Sequence, residues 1–134
     1  MKEQELLDQW FREYYDITND YIFFIGYESI PGTSMGTAKM YRSHTTPEKR
    51  YTKIVLSNRL TNEFAIESVL WHEFSHGMEW YDYGTSSHGK RWLHYYLNKP
   101  RYVLGELVAM FNYITSGGRK QWEYLIEKGL MLGL

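Results

Sequence analysis

The chain opens with an apolar stripe. Leu6, Leu7, Trp10, Phe11 and Tyr14 fall at i, i+1, i+4, i+5 and i+8, the spacing that gathers side chains on one face of a helix, so an amphipathic N-terminal helix is predicted. The pattern then shortens. "YIFFIGY" from Tyr21, "TAKMYR" from Thr37 and "YTKIVLS" from Tyr51 are β-branched, aromatic or weakly alternating runs separated by Gly, Pro and Ser clusters, which predicts three strands joined by turns or hairpin loops and a mostly antiparallel sheet. After Ser57 the helical period returns in "NRLTNEFAIESVLWHEFSHGMEW". Phe64, Ala65, Ile66, Val69, Leu70 and Phe74 carry it, with Thr61 or Asn62 placed to cap the start. "GTSSHGK" reads as a loop and "KRWLHYYLN" as a short helix ended near Pro100. "YVLGELVAMFNYI" and "KQWEYLIEKGLML" read as two further helical stretches separated by Gly117 and Gly118.

Helix, strands and helices in that order make an α+β chain, and its length suits a single domain over residues 1–134. A hydrophobic share of 43% with 18% aromatics supplies a sizeable core and excludes a disordered composition. The formal net charge of -1 argues against broad attraction to nucleic acid or to an anionic membrane. "MKEQELLDQW" lacks the apolar region of a signal peptide, and no run approaches the roughly 20 apolar residues of a membrane span. The expectation is a soluble, cytoplasmic protein. Cysteine is absent, so disulfides and thiolate ligands are excluded together, and any metal must be held by His, Asp or Glu.

That restriction gives weight to "LWHEFSHGMEWYDYGTSSHGKRW", which places His72, Glu73 and His76 in an H-E-x-x-H pattern inside the predicted helix. Residues four apart share a helical face, so His72 and His76 can aim ring nitrogens at one ion. Glu73 points slightly aside and can reach the metal's water as a general base without ligating. A hydrolytic zinc site needs a third protein ligand. His88 is the first candidate, twelve residues after His76 across a loop able to swing it back. Asp82 stands at the third-ligand spacing of the short metzincin pattern, although Glu79 replaces the turn glycine of that pattern, and Glu106 resembles the downstream helical glutamate of gluzincins. Glu79, Asp82 and Glu106 are also candidate acceptors for the second N–H of a ligating imidazole. Tyr81, Tyr83 and Arg91 lie close enough in sequence to stabilise an oxyanion. His44 and His94 enter no site.

The run "IVLSNRLTNEFAIESVLWHEFSHGMEWYDYGTSSHGKRW" resembles the core of the SprT-like zinc metallopeptidase family. A strand ending in a polar step leads into the H-E-x-x-H helix, and a loop then delivers a third histidine within an H-G-x-x-[FW] motif, here His88, Gly89 and Trp92. The likeness covers roughly residues 20 to 97. It implies a small zincin-like domain and a zinc-dependent endopeptidase, with His72, His76 and His88 as ligands and Glu73 as the catalytic carboxylate. It also implies substrates among DNA-associated proteins, yet the sequence has no cysteine for the extra zinc modules of many relatives. Lys90, Arg91, Lys99 and Arg101, interleaved with Trp92, Tyr95 and Tyr96, are the residues for a weak DNA association; a helix with a solvated basic face and an aromatic core face is the plainer reading. Two other functions compete with the peptidase. One is a non-catalytic metal-binding or protein-interaction module on the same fold, against which the intact Glu73 argues. The other is a nucleic-acid-binding protein with incidental histidines, against which the net charge argues.

Overall fold

The computed structural model describes residues 2–32, 34–61 and 63–98, apart from the side chains of residues 64, 65 and 97. The two helical stretches expected beyond Pro100, together with Glu106, Lys99, Arg101 and the capping position Asn62, lie outside the described residues. Within them the order is α1 (Lys2–Tyr15), β1 (Phe23–Glu28), β2 (Gly36–Arg42), β3 (Arg50–Ser57), α2 (Glu63–Tyr83) and α3 (Lys90–Leu97). This is the α+β succession that the hydrophobic pattern predicts.

The sheet is mixed, with β3 in the centre. β2 and β3 form the expected antiparallel pair, from Gly36 opposite Leu56 to Arg42 opposite Arg50. β1 pairs with β3 in parallel, Phe23 opposite Thr52 and Ser57 opposite Glu28, so only one of the two pairings fits a mostly antiparallel sheet. The reason lies in the connection. Neighbouring strands stand about 4.7–4.9 Å apart, and residues 29–35 are long enough to step over the end of β3 instead of turning tightly beside it. Arg59 fixes that step by donating from Nη2 to the carbonyls of Ile30 (3.1 Å) and Ser34 (2.9 Å). Ser57 N–H also donates to the Met35 carbonyl at 2.8 Å. Periodicity reveals a strand but not its neighbour, so this pairing was not readable from pattern alone.

One face of the sheet is covered by helices. Phe23, Ile54 and Leu56 meet Leu7, Trp10 and Phe11 of α1 and Leu70, Trp71, Phe74 and Met78 of α2 in one buried core. Aromatic rings interlock there: Phe23 and Phe74 centroids lie 4.7 Å apart, and Trp10 meets Trp71 edge-on at 5.0 Å. Burying each such side chain stabilises the fold by about 1.5–3 kcal/mol. The first half of the outer edge of β1 is satisfied by side chains. Gln4 donates to the Phe23 carbonyl and accepts from Ile25 N–H, and Asn19 accepts from Ile22 and Phe23 N–H, which shortens the unpaired row that an edge strand would otherwise present.

Helix α2 is buried on more than one side, between the sheet and α3, and this explains why polar Ser68, Glu73, Ser75, His76 and Glu79 are buried along it as well as its apolar residues. It sits close to β1 at Gly77, where a β-carbon would fall 2.2 Å from Cε1 of Phe23. Gly77→Ala is therefore expected to lower the unfolding free energy by about 1–3 kcal/mol through overpacking. The check is a urea titration with a lower midpoint and an unchanged slope; a wild-type midpoint would contradict this seating of α2. The helix stops at Gly84, whose φ of +68° is a left-handed conformation. Arg50 reaches across from β3 and donates to the terminal carbonyls of Trp80 (3.1 Å) and Tyr81 (2.9 Å).

Candidate metal centre

His72 and His76 stand one turn apart on α2 with ring centroids 5.1 Å apart. The loop after Gly84 brings His88 back over them. The Nε2 atoms of His76 and His88 are 2.8 Å apart, those of His88 and His72 are 3.3 Å apart, and one nitrogen from each ring falls within 4.8 Å of the others. Of the three positions weighed as third ligand, His88 is the one that joins the pair among the described residues. Asp82 is turned away: its carboxylate accepts the hydroxyl of Tyr15 at 2.9 Å and that of Tyr95, tying α1, α2 and α3 together.

The geometry suits a small divalent cation. Four ligands set tetrahedrally at about 2.0–2.1 Å from an ion stand roughly 3.3–3.4 Å apart, so the His72–His88 spacing already fits and His76–His88 needs a small separation. Protonation also fits. Burial, together with the neighbouring His76 and His88, holds His72 well below the ordinary histidine range. Burial and His88 push His76 down to about 3, against a backbone hydrogen bond with Ser87 that raises it, and burial lowers His88. Three neutral imidazoles with converging lone pairs are what a metal requires of histidine.

Trp92 forms the floor. It is fully buried, and its ring lies 4.9 Å from His72, 5.3 Å from His76 in a stacked arrangement and 4.9 Å from His88. Its Nε1–H donates to the His72 carbonyl at 3.2 Å. The "HGKRW" spacing thus has a physical reason: Gly89 caps α3, and the residue four after His88 falls in its first turn, directly beneath the three rings.

Glu73 is 7% exposed, and burial pushes its carboxyl up to about 8; a cation held by the neighbouring histidines would act in the opposite sense. Its Oε1 lies 4.0 Å from His72 Nε2. Gly36, at the start of β2, leaves room for it: a β-carbon there would stand 3.4 Å from Glu73 Cγ and 2.6 Å from Val69 Cγ1. Nothing in the spacing of "TSMGTAK" signals that contact, which depends on how α2 lies across the sheet.

A model of the SprT-like family matches residues 5–99. The chain belongs to the SprT-like family. The match runs from α1 to just past α3 and contains His72, Glu73, His76 and His88, and the SprT-like family is associated with a metallopeptidase-like fold. Comparisons with curated proteins and with solved structures find no match. No helix among the described residues is long and apolar enough to cross a membrane.

Tyr81 is half-buried at the edge of the core, against Phe11 and Tyr15. Tyr83 is exposed beneath the Arg91 guanidinium, 4.2 Å from its ring. Trp92, Tyr95 and Tyr96 are buried and offer no ring face for a base to stack on, while Lys90 and Arg91 are exposed. His44 and His94 are exposed and away from the cluster.

Proposed function

We propose that this SprT-like protein is a zinc-dependent endopeptidase in which His72, His76 and His88 hold the metal and Glu73 is the general base. The observation that carries this reading is the convergence of three histidine rings beside the buried side chain of Glu73. Zinc accepts such a set and keeps a fourth position open, although imidazole nitrogens also bind cobalt, nickel and copper. When bound, the metal would supply a Lewis acid for the scissile carbonyl and make water a nucleophile near neutral pH.

The protein's own residues do the rest. His72 and His76 hold their positions through the helix backbone, and Trp92 keeps the rings from tilting into the core. Glu73 accepts the proton of the attacking water and returns it to the amine nitrogen as the C–N bond breaks. β2 is an edge strand, and its first residue lies against Glu73. An extended peptide added to that edge would present its backbone beside the base, which supports protein or peptide chains as substrates. Of the four basic residues named for an association with DNA-bound proteins, Lys90 and Arg91 lie among the described residues, and both are exposed.

The test is hydrolysis of an unfolded, fluorescently labelled protein. Zinc-loaded protein is expected to release peptides, the chelator-stripped protein to release none, and zinc to restore the activity, with circular dichroism showing that the stripped chain stays folded. Equal proteolysis with and without chelator would contradict the proposal.

A further inference from the structure

Glu79 follows His76 by one helical turn and is 1% exposed. A carboxylate in such a place is costly unless donors satisfy it, and both of its oxygens are directed to one segment. Oε2 accepts from the Thr85 hydroxyl at 2.5 Å, and Oε1 accepts from the Ser87 N–H at 3.3 Å. These two donors belong to the loop between Gly84 and Gly89, which carries His88.

The loop needs such an anchor. Thr85, Ser87 and His88 are exposed, whereas the other two candidate ligands are fixed by α2. Ordering a free loop when a ligand binds carries an entropic penalty for each residue fixed. A loop already held in place lets His88 meet the ion with most of that ordering done. Further contacts continue the restraint: Ser87 Oγ accepts from Gly89 N–H at 3.2 Å, and Arg91 Nη1 donates to Thr85 Oγ1 at 3.4 Å.

We propose that Glu79 is a positioning residue for the third metal ligand, its buried carboxylate latching the Thr85–Ser87 segment to α2 so that His88 faces His72 and His76. This rests on the metal-site reading. It assigns Glu79 neither to the metal nor to an imidazole N–H, and it explains why a glutamate stands where a short metzincin pattern would place a glycine.

The experiment measures zinc affinity by competition with a chromophoric chelator for wild type, Glu79→Ala, Glu79→Gln and Thr85→Val, with the thermal midpoint of each metal-free protein. Deuterium exchange at the Ser87 amide reads the latch without metal. Glu79→Ala is expected to weaken zinc binding 10- to 100-fold, the range found when the groups that orient ligands are removed, and to accelerate Ser87 exchange. Glutamine can accept from Ser87 N–H and donate to Thr85 Oγ1, so Glu79→Gln is expected to stay within a few-fold of wild type. Thr85→Val should weaken binding and lower the metal-free midpoint modestly, since Glu79 Oε2 loses its donor, and adding it to Glu79→Ala should change little more, because Glu79→Ala already removes that contact. Wild-type zinc affinity in both Glu79→Ala and Thr85→Val would overturn the proposal. If Glu79→Ala does not fold, Thr85→Val and Glu79→Gln decide: unchanged affinity and unchanged Ser87 exchange in Thr85→Val overturn it. Failure of the wild type itself to bind zinc would instead remove the metal-site reading on which the latch depends.

Discussion

Glu73→Gln is expected to keep one metal per chain and to lose peptidase activity by about 10²–10⁴-fold, the usual contribution of a positioned general base. Glutamine has the same shape, so the close approach to Gly36 at the start of β2 survives. The amide cannot accept the water's proton, however. Stability of the metal-free protein should be retained or slightly raised, because burial pushes the Glu73 carboxyl up to about 8 and a neutral amide avoids that penalty above the ordinary carboxylate range. Zinc content and melting temperature, measured beside kcat, separate this outcome from unfolding or metal loss. A variant with wild-type zinc and wild-type turnover would remove Glu73 from the reaction.

His88→Ala is expected to weaken zinc binding by more than 100-fold, beyond the loss anticipated when a residue that only orients a ligand is removed, and to abolish activity. The metal-free fold should survive, since His88 is exposed on a loop and the core beneath it is built around Trp92. Asp82→Ala should do the reverse. Zinc affinity stays near wild type, while stability falls by about 1–3 kcal/mol as the hydroxyls of Tyr15 and Tyr95 lose their shared acceptor. Competition titrations and chemical denaturation of the two variants side by side provide the check. Loss of zinc through Asp82→Ala with retention in His88→Ala would invert the ligand assignment.

The elements of this chain were legible because each carries a period: the Leu7–Trp10–Phe11 stripe of α1, the short strand runs, and the long apolar repeat of α2. The His72–His76 pair was legible for the same reason, since a helix fixes the relation of residues four apart. His88 required a loop to close over twelve residues, so spacing alone left Asp82 and Glu106 beside it. The difference between His88 and Asp82 lies in tertiary contacts. Tyr15, from the other end of the described chain, occupies Asp82, and the donors at Thr85 and Ser87 bind Glu79. The parallel pairing of β1 with β3 was hidden for a similar reason, because alternation reports which face a residue occupies and not which strand lies next to it. Trp92 was visible as a motif letter, but its position under three imidazoles depends on where α3 begins.

Anomalous diffraction from zinc-loaded crystals, recorded on both sides of the zinc absorption edge, tests the metal centre most directly. The expected result is one strong peak per chain, about 2.0–2.1 Å from a ring nitrogen of each of His72, His76 and His88. A zinc-loaded crystal with no peak among these three rings, or with its peak held by other side chains, would contradict the site and the peptidase built on it.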